Sequence, residues 1–275
     1  MKNRGSILIF TLWVLIILSI ISIALSRRAA TDMRLAKRES QSIKALYLAK
    51  AGIFKMLAEL SVDTNKYDAL NEDWHRGAGD PKKLTLRDDM VFYGASDEMA
   101  LLNLNAESLK KEEISALGLD PDLSEAVVKY REMKGDKGFE FMEEIFLVEG
   151  MTREAFSNIK SSVTIYRGND HKVNINTAGE KVLAAILGDD LPARNISDYR
   201  IGPDEREGTA DDGIFRDTAD ITNNFDGVDT SSFSVVSGVF RVWAESVLSG
   251  DREPLKKIEA VIDRSTGNIR HWKEY

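Results

Sequence analysis

Residues 6–25 carry no charged side chain and are dominated by Ile and Leu, and the stretch runs on, with no proline, into a charged and amphipathic continuation. That junction constrains the fold more than any other feature of the chain. About twenty apolar residues, rising about 1.5 Å each, make a helix as long as the ~30 Å hydrocarbon core of a bilayer. Beyond it Ile43, Leu46, Tyr47, Ile53, Phe54, Leu57 and Leu60 recur largely at spacings of three and four. Arg34, Lys37, Arg38, Glu39, Lys44 and Lys55 are interspersed, which is the pattern of a helix with one apolar face. One helix over 6–60 would measure roughly 80 Å. Gly52 is its only glycine, a tolerated cost of ~1 kcal/mol. A cleavable secretory signal would have a shorter apolar core ending at small residues. Ser22, Ala24 and Ser26 imitate that poorly, and an ordinary anchor would end in a linker rather than a second helical pattern.

Ahead of the apolar run stand Lys2, Asn3, Arg4 and Gly5. Basic leader, glycine, apolar segment and unbroken amphipathic continuation together resemble the class III signal of type IV pilins and pseudopilins. The stretch from Arg4 to Leu15 is most similar to the K-type minor pseudopilins of type II secretion systems. The resemblance implies cleavage by prepilin peptidase between Gly5 and Ser6, with methylation of the new amine at Ser6. Most pseudopilins have a glutamate as the fifth residue of the mature chain, and Phe10 stands there in this sequence. A carboxylate in an apolar bundle is costly unless paired, and in the family it is thought to neutralise the amine of the subunit ahead. Its absence is shared by the K-type members and suits a subunit at a filament tip.

The fold implied is α+β and type IV pilin-like: a long, partly transmembrane N-terminal helix and an antiparallel sheet, with a large inserted α-helical domain. The expected division is a leader at 1–5, the transmembrane and stalk helix at 6–60, and sheet at 61–100 and 226–275. The insert falls at 101–225, in parts of about 101–165 and 166–225. Function follows by the same resemblance: a non-enzymatic minor pseudopilin capping the periplasmic pseudopilus, active in its initiation and in protein export across the outer membrane. Its partners would be the I-type and J-type minor pseudopilins, the inner-membrane assembly platform and prepilin peptidase. It would be a single-pass inner-membrane protein, N-terminus cytoplasmic and bulk periplasmic. A minor pilin of a type IV pilus or DNA-uptake machine is the alternative, and a membrane-anchored nucleic-acid-binding protein a more distant one.

Composition bears on these readings selectively. The 275 residues include no cysteine, so disulfides and thiolate metal sites are excluded. A formal net charge of −8 argues against a surface for nucleic acid. One observation runs against the expected topology. Arg27, Arg28, Arg34, Lys37 and Arg38 flank the far end of the span more heavily than Lys2 and Arg4 flank the near end, and the bias of basic residues toward the cytoplasm favours the reverse orientation.

Past the stalk, Gly77, Gly79 and Pro81 mark a loop, and residues 84–86 and 90–93 read as short strands joined near Asp88 and Asp89. So short a pair needs partners. The β-rich stretches 233–247, 257–263 and 269–272 supply them, with a turn at 265–268. The two parts of the insert open alike, on Leu102-Asn103-Leu104-Asn105 and on Val173-Asn174-Ile175-Asn176. Both are expected to be helix starts, the second asparagine serving as cap, with Thr177 and Glu180 as a capping box. A helix is expected from Asp120-Pro121, through Ala126, Val127 and Tyr130, to Gly135 and Gly138. Short helices at 139–148 and 152–159 flank Glu149-Gly150-Met151 and resemble a helix-hairpin-helix. Glu140, Glu143, Glu144 and Glu149 around that turn would repel phosphate, which favours protein packing over nucleic acid.

The stretch 202–213 concentrates Asp204, Glu205, Glu207, Asp211 and Asp212 among Gly202, Gly208 and Gly213, with Asp217 and Asp220 close behind. Clustered carboxylates repel unless water or a cation screens them, and an oxygen-only set with a glycine-shaped backbone suits calcium. The spacing is not that of an EF-hand. It resembles the aspartate-rich loop through which K-type pseudopilins are expected to hold calcium, which makes Asp204, Glu207, Asp211, Asp212 and Asp217 the candidate ligands; a solvated acidic loop is the alternative. Asp226 and Asp229 form a second acidic pair. His75, His171 and His271 are isolated, and no serine sits in a recognisable nucleophile turn.

Overall fold

The apolar run and the amphipathic stretch form one helix, α1 (Arg4–Val62), in a computed structural model that describes residues 4–75 and 81–275, with side chains in the first helical turns described from Ile7 onward. Lys2 of the leader and Gly77 and Gly79 of the expected loop lie outside the described residues. From Ile7 to Ser40 every α1 residue is exposed. From there the helix packs on a sheet, burying Ala45, Ala49, Ile53, Met56 and Leu60 at spacings of three and four. Gly52 is more than tolerated in that contact. A Cβ there would lie 2.7 Å from Val91 Cγ1 and 2.8 Å from Ala244 Cβ, so its absence sets how closely helix and sheet approach.

The sheet has five antiparallel strands: β1 (Lys82–Leu86), β2 (Asp89–Asp97), β7 (Val239–Val247), β8 (Lys256–Asp263) and β9 (Ile269–Glu274), in the order β1-β2-β7-β8-β9. Val91, Tyr93, Ala95, Phe240, Val242, Ala244, Ile258, Ala260 and Ile262 alternate onto the α1 side, as a half-buried sheet requires. The expected strand at 233–247 is interrupted at Ser237 and Gly238; only its second part joins this sheet.

Between β2 and β7 the chain leaves to build a second core. Its elements are β3 (Leu102–Asn103), α2 (Lys111–Ala116), α3 (Pro121–Lys134), α4 (Arg153–Ile159), β4 (Val163–Thr164), β5 (Val173–Asn174), α5 (Glu180–Leu187), α6 (Asp190–Ile201), α7 (Thr218–Asn224) and β6 (Phe233–Ser234). Helix α3 begins and ends where its punctuation predicts. Asp120 caps it by accepting from Asp122 N–H, and Gly135 (φ 58°) and Gly138 (φ 56°) turn the chain away. The segment 139–148 is not an α-helix: Met142–Leu147 forms a 3-10 turn.

Lys44 near the lower end of the packed half of α1 pairs with Asp89 at the start of β2 (2.6 Å). Near the other end, Tyr93 donates to Glu59 (2.9 Å) and Arg264 lies 3.4 Å from Asp63. Strand β2 therefore runs in the direction of α1. The insert, which leaves from the C-terminal end of β2, sits at the end of the sheet farthest from the apolar run.

Candidate functional site

The two opening motifs of the insert are one structural device used twice. In the first half, Asn103 Oδ1 accepts from Asn105 N–H (3.1 Å), and Asn105 accepts from Phe139 N–H (2.7 Å) while donating to Phe139 O (2.9 Å). In the second, Asn174 Oδ1 accepts from Asn176 N–H (3.0 Å), and Asn176 accepts from Phe215 N–H (2.9 Å) while donating to Phe215 O (2.8 Å). The Tyr130 ring lies against its phenylalanine as the Tyr199 ring does against its own, with ring centres 5.2 Å apart for Phe139 and 5.0 Å apart for Phe215. Arg131 donates to Asn105 O (3.0 Å) and Arg200 to Ile175 O (3.1 Å). Even the strand pairing repeats, β3 parallel to β4 and β5 parallel to β6.

This arrangement overturns the expectation that Asn105 and Asn176 cap helices. Each clasps the backbone of a phenylalanine that arrives after the second helix of its half, because a buried amide can satisfy an N–H and a C=O together where a helix cap satisfies N–H groups only. Helix α2 starts later, after Lys110, and α5 is preceded by Gly179 with no side-chain cap. Thr177 makes no capping box with Glu180; its hydroxyl donates to Asp97 (2.5 Å).

Asp97 and Glu98, adjacent at the end of β2, tie the two halves to the sheet. Asp97 is buried and accepts from Asn174 Nδ2 (3.0 Å), Thr177 Oγ1 (2.5 Å), Ser237 Oγ (2.5 Å) and Met99 N–H (2.7 Å). Burial pushes its carboxyl pKa up, against four donors that pull it down. Glu98 accepts from Thr164 in the first half (2.5 Å) and takes Arg241 of β7 in a two-bond fork (2.7 and 2.9 Å). Asp68, in the segment after α1, completes the joint by accepting from Ser237 N–H (2.6 Å) and Arg264 (2.5 Å). Neither the joint nor the clasps were foreseen from sequence. The signal available was the Tyr-Arg dipeptide at 130–131 and at 199–200, following its asparagine at nearly the same distance.

The acidic loop is the long counterpart of the Gly135–Gly138 turn, lying between Arg200 and the clasped Phe215. Its glycines are structural: Cβ atoms at Gly202 and Gly213 would meet the carbonyl oxygens of Asp211 and Tyr199. Of the candidate ligands, Asp204, Asp211 and Asp212 are brought together. Asp211 accepts from Asp204 N–H (3.2 Å), and Thr209 Oγ1 lies 2.7 Å from Asp211 Oδ1 and 2.9 Å from Asp212 Oδ1. Asp212 also accepts from Gly208 N–H (2.8 Å) and Thr209 N–H (3.2 Å), and Asp204 Oδ1 from Arg206 N–H (2.9 Å), so the loop's own N–H groups answer part of this charge. Glu207 and Asp217 are engaged elsewhere: Glu207 lies 3.5 Å from Arg200, and Asp217 caps α7 by accepting from Asp220 N–H (3.0 Å). Asp229 caps the turn at Thr230–Ser232. Three carboxylates do converge elsewhere, at Asp63, Asp68 and Glu72, where Arg264 already supplies the balancing charge.

The stalk presents two opposite faces. Opposite the sheet, Met33, Ile43, Tyr47 and Phe54 are each more than half exposed. With Ala29, Ala36 and Ser40 they recur at alternating spacings of four and three from 29 to 47, the 3.5-residue repeat of a helix that packs along another helix. Phe10 lies on the exposed apolar run, 68% accessible. Gly5 and Ser6 lie in the first turn of α1. Residues 7–62 hold one segment long and apolar enough to cross a membrane. The turn at Gly150 is exposed and runs past Leu123, which a Cβ there would meet at an ordinary 3.6 Å. His171 faces Glu113 (3.3 Å), and His271 lies against Tyr166 with ring centres 5.0 Å apart.

Residues 4–54 match the PilX N-terminal family. Among solved structures, the fold matches a chain in the crystal structure of the GspK-GspI-GspJ complex from the enterotoxigenic Escherichia coli type 2 secretion system. The TM-score is 0.63 at 16% identity, over 87% of this chain and 96% of that one. The chain therefore has the pilin-like fold with an inserted α-domain. A stretch of 67 residues is 39% identical to ComE operon protein 1 of Bacillus subtilis (strain 168); it amounts to 24% of this chain and spans about a third (31%) of that protein.

Proposed function

We propose that this chain is a K-type minor pseudopilin, a non-enzymatic subunit that caps the pseudopilus of a type II secretion system and takes part in its initiation and in protein export. The observation that carries the reading is the position of the insert. It stands at the end of the sheet farthest from the apolar helix, where a further subunit stacked along the same axis would meet it. Phe10 in place of a carboxylate agrees, because a helix with nothing ahead of it has no amine to neutralise. The exposed 3.5-residue seam at 29–47 supplies the face for parallel stalk helices of the I-type and J-type subunits. Gly5 is the cleavage position and Ser6 the mature, methylated terminus. The bulk of the chain lies in the periplasm, with the helix anchored in the inner membrane until the assembly platform withdraws it. Nucleic acid has no part, given the carboxylates around the Gly150 turn.

Calcium belongs to the same proposal, held by Asp204, Asp211 and Asp212 with backbone oxygens of the loop; bound there, it would neutralise carboxylates that otherwise repel. Two measurements test the reading. Mass spectrometry of protein expressed with prepilin peptidase should give a terminus at Ser6, and an intact Met1 would oppose it. Co-purification with the I-type and J-type subunits should be lost on Ile43→Glu/Tyr47→Glu; retention of binding would reject the seam.

A further inference from the structure

We infer that the basic collar at the foot of the exposed stalk, centred on Arg27 and Arg28, binds anionic phospholipid headgroups of the leaflet from which α1 emerges. Over residues 26–40 the chain has five cations (Arg27, Arg28, Arg34, Lys37, Arg38) and two anions (Asp32, Glu39), a local +3 in a molecule whose formal charge is −8. None of this segment is covered by the head, and the ion pair that Arg28 makes with Asp32 is weak, at 4.0 Å with both side chains largely exposed.

Distance along the helix decides which cations reach lipid. Measured from Leu25, the last large apolar residue of the span, Arg27 and Arg28 rise about 3 and 4.5 Å, Arg34 about 14 Å, and Lys37 and Arg38 about 18–20 Å. The headgroup layer adds about 5–7 Å beyond the hydrocarbon, and charge is screened over about 8 Å at physiological salt. Arg27 and Arg28 therefore sit among the headgroups, Arg34 lies within screening distance of them, and Lys37 and Arg38 lie above. Each basic residue at an anionic surface strengthens attachment about five-fold. Basic residues on the emerging side oppose the usual charge bias of a single span, and anionic headgroups give them a counter-charge. The inference holds for any single-span anchor and does not depend on the filament role.

The test uses the full chain, reconstituted into vesicles of phosphatidylcholine and phosphatidylglycerol in equal amounts and re-extracted in mild detergent, with retained lipids measured by mass spectrometry. Phosphatidylglycerol should outnumber phosphatidylcholine among the retained lipids by about five to one or more, against one to one in the vesicles. Arg27→Gln/Arg28→Gln should remove the enrichment, and Lys37→Gln/Arg38→Gln should leave it. No enrichment in the wild type overturns the inference, as does equal loss in both variants. If the first variant keeps its lipid but loses the I-type and J-type subunits, the collar is a protein contact and the inference again fails. An unchanged melting temperature of the head in each variant shows that the comparison is between folded proteins.

Discussion

Asn105→Ala against Asn176→Ala is the most informative perturbation, because the two positions do the same job with different numbers of bonds. Asn105 holds Phe139 N–H and Phe139 O and also donates to Ile165 O (2.8 Å), so its loss orphans three buried backbone groups. Asn176 holds only Phe215 N–H and Phe215 O. A buried group left unpaired costs about 1–3 kcal/mol, with partial relief where water can enter. That gives about 3–5 kcal/mol for Asn105→Ala and about 2–4 kcal/mol for Asn176→Ala. At about 2–4 °C per kcal/mol for a unit of this size, the first variant should melt roughly 6–20 °C below the wild type if unfolding is cooperative. Calorimetry of the full chain gives the shift, and hydrogen exchange should place the loosening in 102–165 for Asn105→Ala and in 173–234 for Asn176→Ala. A loss under 1 kcal/mol at both sites, or a smaller loss at Asn105 than at Asn176, would refute the clasp.

Three further outcomes follow from particular contacts. Gly52→Ala gains up to ~1 kcal/mol of helix propensity but forces a methyl to 2.7–2.8 Å from two carbons, and overpacking of that kind costs about 1–3 kcal/mol, so urea unfolding should show net destabilisation partly relieved by Val91→Ala. Burial pushes Asp68 from 3.8 up to about 6 against the pull of Ser237 N–H and Arg264. The native state then binds the proton first, so the contribution of Asp68 is full below about 4 and is lost as pH rises through about 6. On going from pH 7.5 to 4 the stability of the wild type relative to Asp68→Asn should rise by roughly 2 kcal/mol, and a flat difference would contradict the shift. Chelation should lower the melting temperature of the wild type and leave Asp211→Ala unmoved; no response in either would mean that the acidic loop is solvated without an ion.

The long helix and the sheet were legible because their signals are periodic and local: apolar residues at three and four along α1, alternation in β2, β7 and β8. The α3 boundaries were legible for a related reason, Asp120-Pro121 and Gly135 being tied to single backbone conformations. The fold implied by the leader and the split sheet agrees with the PilX N-terminal match over 4–54 and with the match to a chain of the secretion-system complex. Asn105 and Asn176 were misread because asparagine ahead of a helix is ordinarily a cap, and nothing nearby in sequence names Phe139 or Phe215, more than thirty residues on, as its partner. Gly52 looked like a propensity cost since the strand atoms it admits belong to β2 and β7. Asp97, Asp68 and Arg264 were invisible as a joint, each being an ordinary charged residue until three distant segments meet.

Asp97 faces Phe240 across the ladder between β2 and β7, so the chain departs from the sheet and returns to it at one place. To those two strands the entire insert is the turn of a hairpin. Closing a flexible turn of about 140 residues instead of four would cost about 3 kcal/mol more in chain entropy, and would make this the slowest contact of the sheet to form. If the insert folds first, however, Asn174, Thr177 and Ser237 gather at Asp97 and bring the two strand ends together. The joint that fastens the insert thereby turns the longest-range pairing in the molecule into a local one, and the order of folding it implies is insert before sheet.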